Sequence, residues 1–230
     1  MHTTRWQRYG RERTPHHMTN RRPWLRRASV TAVSAAALVA LAAPAEAATA
    51  SAAPTAATAA TTAAAADVDY DTWQADCRAV MDEALPYLQQ RIADTRPGEK
   101  QAIVLDIDNT ALETDFGFSY PQPANKPVLE AARYAQEHGV AVFFVTARPG
   151  IIHAPTEYNL DRVGYESAGL YVRGFSDLFR DVAEYKTAQR VDIESKGYTI
   201  IANIGNSPTD LSGGHAERTF KLPDYDGQLS

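Results

Sequence analysis

The stretch Ala102-Ile-Val-Leu-Asp-Ile-Asp-Asn-Thr110 decides how the rest of the chain is read. Its first four residues form an uninterrupted apolar run, the pattern of a strand buried on both faces, as in a parallel sheet. The run ends on two carboxylates at i and i+2, Asp106 and Asp108, so both leave the strand end together. Such a pair is costly away from water unless a cation or a proton neutralises it. A hard dication with oxygen ligands would do so, and Mg2+ fits best.

Downstream, Val140–Val145 is a second buried strand, Leu170–Val172 a third, Tyr198–Ile204 a fourth and Thr219–Leu222 a short fifth. Helical stretches separate them: Pro127–His138 with Gly139 at its end, Thr156–Val163 with Gly164, and Tyr185–Ser195 with Gly197. Upstream, Asp71-Thr-Trp-Gln74 reads as a capped helix start. Trp73, Cys77, Val80, Met81, Ala84, Leu85, Leu88 and Ile92 then follow helical spacing. Pro86 is expected to kink or split that helix, and Cys77 falls on its apolar face as a buried structural thiol. Strands alternating with helices predict an α/β fold, a parallel sheet with helices on both faces. Ligands of such sheets bind beyond the carboxyl ends of the strands.

The second strand ends on Thr146-Ala-Arg148, a hydroxyl and a guanidinium suited to phosphate oxygens. Lys186 opens the third of these helices, within reach of the same mouth. The fourth strand ends on Gly205-Asn-Ser-Pro-Thr-Asp210, which sets an amide and a carboxylate four residues apart. Acids, hydroxyl, ammonium and a further acid at successive strand mouths make a phosphoryl-transfer set.

The order Asp-x-Asp-x-Thr, Thr, Lys, Gly-Asn-x-x-x-Asp resembles the haloacid dehalogenase (HAD) superfamily. More narrowly, it resembles the secreted acid phosphatases of that superfamily, the class B bacterial and plant vegetative-storage-protein type. The likeness runs from about Tyr70 to the end of the chain, on Val104–Leu112, Phe143–Pro149, Tyr185–Arg190, Gly197–Leu211 and Phe220–Pro223. It implies a Rossmann-like HAD fold and roles for each residue. Asp106 would be the nucleophile that forms an aspartyl-phosphate. Asp108 would protonate the leaving alkoxide and then deprotonate water. Thr146 would hold a phosphoryl oxygen, and Lys186 would balance the charge of Asp106 and the phosphoryl group. Asp106, the Asp108 carbonyl and Asp210 would hold Mg2+. Arg148 would bind phosphate or brace the loop. The chain departs from the family where relatives carry Asp and it has Asn206, an amide that can still ligate the metal but lowers the charge of the site.

Around these motifs the connections are short. The segment from Ala111 to Val140 holds one helix and a loop, and Arg173–Val182 is shorter still, so little or no cap domain is expected. The N-terminal helix is expected to roof the site in part. Phe116, Phe118 and Tyr120 are either core or the wall of a substrate mouth. His215 follows Ser212-Gly-Gly214 on a loop near the site, where it is weighed as a ligand or proton donor.

The 230 residues hold a single cysteine, which excludes an intrachain disulfide framework and a cysteine-based zinc site. Residues 1–47 carry 8 Arg and 2 acids; the remainder carries 15 basic and 26 acidic residues, a net charge of −11. That acidic body argues against nucleic acid as a specific partner. Arg21, Arg22, Arg26 and Arg27 precede the charge-free run Ala28–Ala45 and an Ala-x-Ala site ending at Ala47, the layout of a secretory signal. The run is too weakly apolar for a stable membrane anchor. Arg21-Arg22 in Asn20–Arg26 resembles a twin-arginine motif, so export is expected by the Sec or twin-arginine route; a start at Met18 would give a signal of 30 residues. Residues 48–66, with 12 Ala, 5 Thr, 1 Ser and 1 Pro, read as a disordered linker, leaving 67–230 as the folded domain. The expected function is a secreted Mg-dependent phosphomonoesterase acting on small organic phosphates. The alternative is a weakly active or non-catalytic storage or binding relative.

Overall fold

A computed structural model describes residues 68–229; the expected signal and linker lie outside the described residues. Its sheet has five strands, all parallel, in the order β3-β2-β1-β4-β5. These are β1 (Lys100–Leu105), β2 (Ala141–Pro149), β3 (Gly169–Arg173), β4 (Tyr198–Gly205) and β5 (Thr219–Lys221). The helices are α1 (Tyr70–Ala93), α2 (Lys126–Glu137), α3 (His153–Val163), α4 (Val182–Ser195) and the single turn α5 (Pro208–Leu211).

The pleat splits the apolar runs between two cores, because alternate residues of a strand face opposite sides. Ile103 and Leu105 of β1 and Val142 and Phe144 of β2 pack with Trp73, Cys77, Met81 and Leu88 of α1 and Val128 of α2. Ala102, Val104, Phe143 and Val145 face the other way, onto Tyr185 and Ile193 of α4. Both faces are therefore covered, which is why the central strands read as continuous apolar runs. At Ala102/Ile103 the pairing with β4 skips Ile201, and this bulge lets Ile201 and Ala202 both face the α1 side.

Pro86 neither splits nor ends α1, which runs through it as one 24-residue helix. The proline lies on the exposed face, where the carbonyl it leaves unpaired meets solvent, while Met81, Ala84, Leu88 and Ile92 are buried on the other side. The helix also begins earlier than its Asp71 suggests: Asp69 is the cap, its carboxylate accepting from the Thr72 N–H at 2.8 Å. Cys77 is buried as expected, and burial pushes its thiol up to about 11, so it remains a neutral packing group. No domain is inserted in residues 111–125 or 174–181, so the fold carries no cap among the described residues. Among the described residues, no helix is long and apolar enough to cross a membrane.

Candidate active site

The carboxyl ends of β1, β2 and β4 meet at the centre of the sheet. Asp106 stands just beyond β1, its N–H donating to the Ile204 carbonyl of β4 at 3.0 Å. Its side chain is 6% exposed. Lys186 does not open its helix, as the sequence suggested. Asp181 caps α4 by accepting from the Glu184 N–H, and Lys186 lies in the second turn. From there Lys186 Nζ donates to Asp106 Oδ1 at 2.6 Å and also to Asp210 Oδ1. The other Asp210 oxygen accepts from the Ser207 N–H at 2.8 Å and closes a capping box over α5. Gly205 makes room for this: a Cβ there would lie 2.4 Å from Asp210 Cβ and Oδ2.

Two buried carboxylates thus share one ammonium. Burial pulls Lys186 down, but Asp106 and Asp210 together outweigh it and hold the lysine above its ordinary range, fully charged. Each acid in turn has only part of one cation. Burial pushes Asp106 up, with Asp210 adding to the push and Lys186 opposing it. The negative charge left over suits a hard dication. Among the described residues there is no group of three or more His, Cys, Asp or Glu able to hold a metal. The available donors are instead two carboxylates, Asp106 and Asp210, with neutral oxygens from the Asp108 carbonyl and the Asn206 amide.

Asp108 takes a separate environment, with a side chain 39% exposed. Arg148 grips it with a fork: Nη2 donates to Oδ1 at 2.7 Å, and Nε lies 3.1 and 3.2 Å from the two oxygens. Thr114 donates to Oδ1 as well, at 2.9 Å. Gln122 and Thr156 accept from the remaining guanidinium N–H groups, so Arg148 braces the acid rather than standing free. Thr146 is buried within β2 rather than after it, because the strand runs on to Pro149, and its hydroxyl accepts from the Arg148 N–H at 3.2 Å.

A cavity of about 790 Å3 opens onto Asp108 and Arg148 and is walled by Phe118, Tyr120, Ile152 and Pro155. Asp106 and Lys186 lie deeper and do not line it. The aromatic run divides. Phe116 turns inward and stacks on Trp73, ring centres 4.3 Å apart. Phe118 and Tyr120 are exposed on the cavity wall. The N-terminal helix, expected to roof the site in part, contributes nothing to the lining of this cavity; it reaches the segment after Asp108 through Tyr70 and Gln74, which donate to Glu113. His215 pairs with Glu194 of α4 at 2.6 Å, and both residues are exposed.

Sequence reasoning missed several supporting residues. Arg190 is buried and donates to the carbonyls of Asp210, Ser212 and Gly214, fixing the loop that carries Asp210. Its i+4 spacing from Lys186 on α4 was the available signal. Thr110 donates to Asn206 Oδ1 at 3.2 Å and accepts from the Asn206 N–H at 3.1 Å. Asn109, in the left-handed region at φ 51°, accepts from the Asp115 N–H and donates to Asp115 Oδ2.

Comparison with known proteins follows the same outline. The model of the HAD superfamily, subfamily IIIB (acid phosphatase), matches residues 25–122 and 119–228. The stem 28 kDa glycoprotein of Glycine max is 37% identical over 89 residues, 37% of this chain and 35% of that protein. A stem 31 kDa glycoprotein of the same plant is 37% identical over 89 residues, covering 37% of this chain and 31% of its own length. The chain thus spans about a third of the length of these relatives. The class C acid phosphatase from Bacillus anthracis superposes with a TM-score of 0.54 at 18% identity, over 68% of this chain and 80% of that one. Its tungstate-bound form gives a TM-score of 0.52 at 17% identity, again over 68% and 80%. Likeness at such identity speaks to the fold.

Proposed function

The chain belongs to the acid phosphatases of HAD subfamily IIIB, and from that premise we propose that it is an exported, Mg2+-dependent phosphomonoesterase that works through Asp106 on small organic phosphates. The observation that carries this reading is the buried Asp106–Lys186–Asp210 cluster beside an independently braced Asp108. Two acids in different environments suit two different tasks.

In this reading Asp106 Oδ attacks phosphorus, a new P–O bond forms, and the P–O bond to the leaving group breaks. Asp108 gives its proton to the departing alkoxide. It then takes one from the water that attacks the aspartyl-phosphate, which releases phosphate and restores Asp106. Arg148, held by Gln122 and Thr156, fixes where that proton is exchanged. Lys186 offsets charge at Asp106 throughout. Thr146 supplies a hydroxyl to a phosphoryl oxygen. The leaving group occupies the cavity walled by Phe118 and Tyr120, which, with no cap over it, accepts varied organic groups. Asp106, the Asp108 carbonyl, Asn206 and Asp210 would hold Mg2+, whose charge would draw the phosphoryl group toward a site already rich in carboxylates. Export is supported by the Arg-flanked apolar run before Ala47 and fits relatives that are themselves glycoproteins.

Hydrolysis of p-nitrophenyl phosphate, with and without Mg2+ and chelator, tests the reading. Turnover should require the cation and vanish in Asp106→Asn. A full-length preparation no faster than Asp106→Asn on any phosphomonoester would replace it with the weakly active or non-catalytic alternative. One observation favours that alternative: the Asn206 amide is already engaged by Thr110 and Leu229.

A further inference from the structure

The segment after β5 returns to the site. Tyr225, Asp226 and Gly227 all adopt positive φ, at 49°, 55° and 85°, and turn the chain back on itself. The Leu229 N–H then closes onto the Asp224 carbonyl at 3.1 Å. Two anchors hold this strap. The Tyr225 hydroxyl donates to Asp76 on α1 at 2.7 Å, and the Leu229 side chain, 4% exposed, joins the core on the α1 side of the sheet. These anchors deliver the Leu229 carbonyl to one place. There it accepts from two buried amide side chains, Asn109 Nδ2 at 3.0 Å and Asn206 Nδ2. The first belongs to the loop that carries Asp106 and Asp108, the second to the loop that carries Asp210.

We infer that the strap Asp224–Leu229 is a positioning element of the active site, and that it is the reason residue 206 is Asn. With Nδ2 committed to Leu229, the Asn206 amide can present only Oδ1 toward Thr110 and the acids, so the strap sets the orientation of a neutral oxygen donor. It also ties the loop of Asp106 to the loop of Asp210 through one shared acceptor. A carboxylate at 206 has no N–H to donate and would set an oxygen against the Leu229 carbonyl, an unsatisfied buried pair. In Asn206→Asp the added charge therefore cannot simply strengthen a metal site, because it first breaks the strap. The inference rests on the phosphatase reading for its functional half alone.

The test crosses Asn206→Asp with a chain ending at Gln228, made in the full-length protein. Metal-free urea unfolding measures the coupling. Asn206→Asp should lower the midpoint clearly more when Leu229 is present than when it is absent, a coupling of about tenfold or more in the unfolding equilibrium. Where the shortened chain fails to fold, Leu229→Ala, which loosens the anchor and keeps the backbone, takes its place. Turnover of p-nitrophenyl phosphate measures the positioning role: loss of Leu229 should cut kcat at least about tenfold with KM moved less than about threefold. Mg2+ alone, titrated against thermal melting, should reach its midpoint at higher concentration in the shortened chain. Additive effects in the urea cycle would overturn the strap contact. Coupling with an unchanged kcat and Mg2+ midpoint would overturn the positioning role. A full-length protein inactive on every phosphomonoester, with the urea coupling intact, would fail the phosphatase reading and leave the contact standing.

Discussion

At the scale of single residues, the site turns on an imbalance: Lys186 faces Asp106 and Asp210, both nearly excluded from solvent. Removing one of the acids and removing the ammonium should therefore act in opposite directions on stability. Asp106→Asn replaces a poorly compensated carboxylate with a neutral amide of the same shape. It should lose at least about a thousand-fold in turnover while its metal-free Tm holds or rises. A fall of several degrees in Tm would mean that Asp106 is compensated better than its surroundings imply. Lys186→Met should do the reverse, leaving two buried acids facing each other without a cation. Urea unfolding should show a loss of roughly 3–5 kcal/mol, the range for breaking a buried pair by removing one partner. Added Mg2+ should recover more stability in this variant than in the wild type, because a ligand of the folded state stabilises by mass action. A Lys186→Met protein as stable as the wild type would show that the cluster does not carry the charges assigned to it.

At the scale of elements, the far end of the sheet is held by a different network. Arg91, in the last turn of α1, donates to Glu99 just before β1 and to Glu217 just before β5, the latter at 2.7 and 3.0 Å. The Arg91 side chain, with the Arg96 N–H, holds the Glu99 carboxyl well below its ordinary 4.5, at about 2. A depressed carboxyl stabilises the fold above its unfolded value and loses that contribution as pH falls through its folded value. Wild type should therefore exceed Glu99→Gln in stability at neutral pH, and the gap should close between about pH 4.5 and 2. Denaturant midpoints of the two proteins at several pH values check this. A gap that stayed constant down to pH 2 would exclude Glu99 as an ionised partner of Arg91. The same end-to-end logic explains why α1 tolerates Pro86: its grip comes from the buried face and the Arg91 network, and the proline lies on neither.

At the scale of the whole molecule, the described domain accounts for the acidic body of the chain, and the basic N-terminal region lies outside the described residues. We expect export to remove it. N-terminal sequencing of protein recovered from the medium should begin at or near Ala48, after the Ala-x-Ala site. Recovered protein that still carries Trp24 would exclude cleavage there. The domain from about residue 67 onward should then hold all the activity, since each proposed catalytic, substrate and metal residue falls within it.

The parallel sheet, its two covered faces and the positions of Asp106, Asp108, Thr146 and Asp210 along the chain were legible in the sequence. Apolar runs and the polar residues that end them are local patterns, and the backbone periodicity that reads them is fixed by covalent geometry. Element ends were read less well: α4 begins before Lys186 and β2 runs past Thr146, because a cap or a sheet neighbour extends an element beyond its apolar residues. What each site residue touches was decided by the tertiary structure alone. Lys186 meets Asp106 across 80 positions of sequence, Arg148 meets Asp108 across 40, and Asn206 finds its partner in the returning strap. Arg148 read equally well as a phosphate ligand or a brace of its loop, and Asn206 as a departure from the family that could still ligate the metal. A side chain at a strand mouth has several polar groups within reach, and packing of distant segments selects among them. The sequence patterns therefore proposed residues for the site, and the three-dimensional packing assigned their partners.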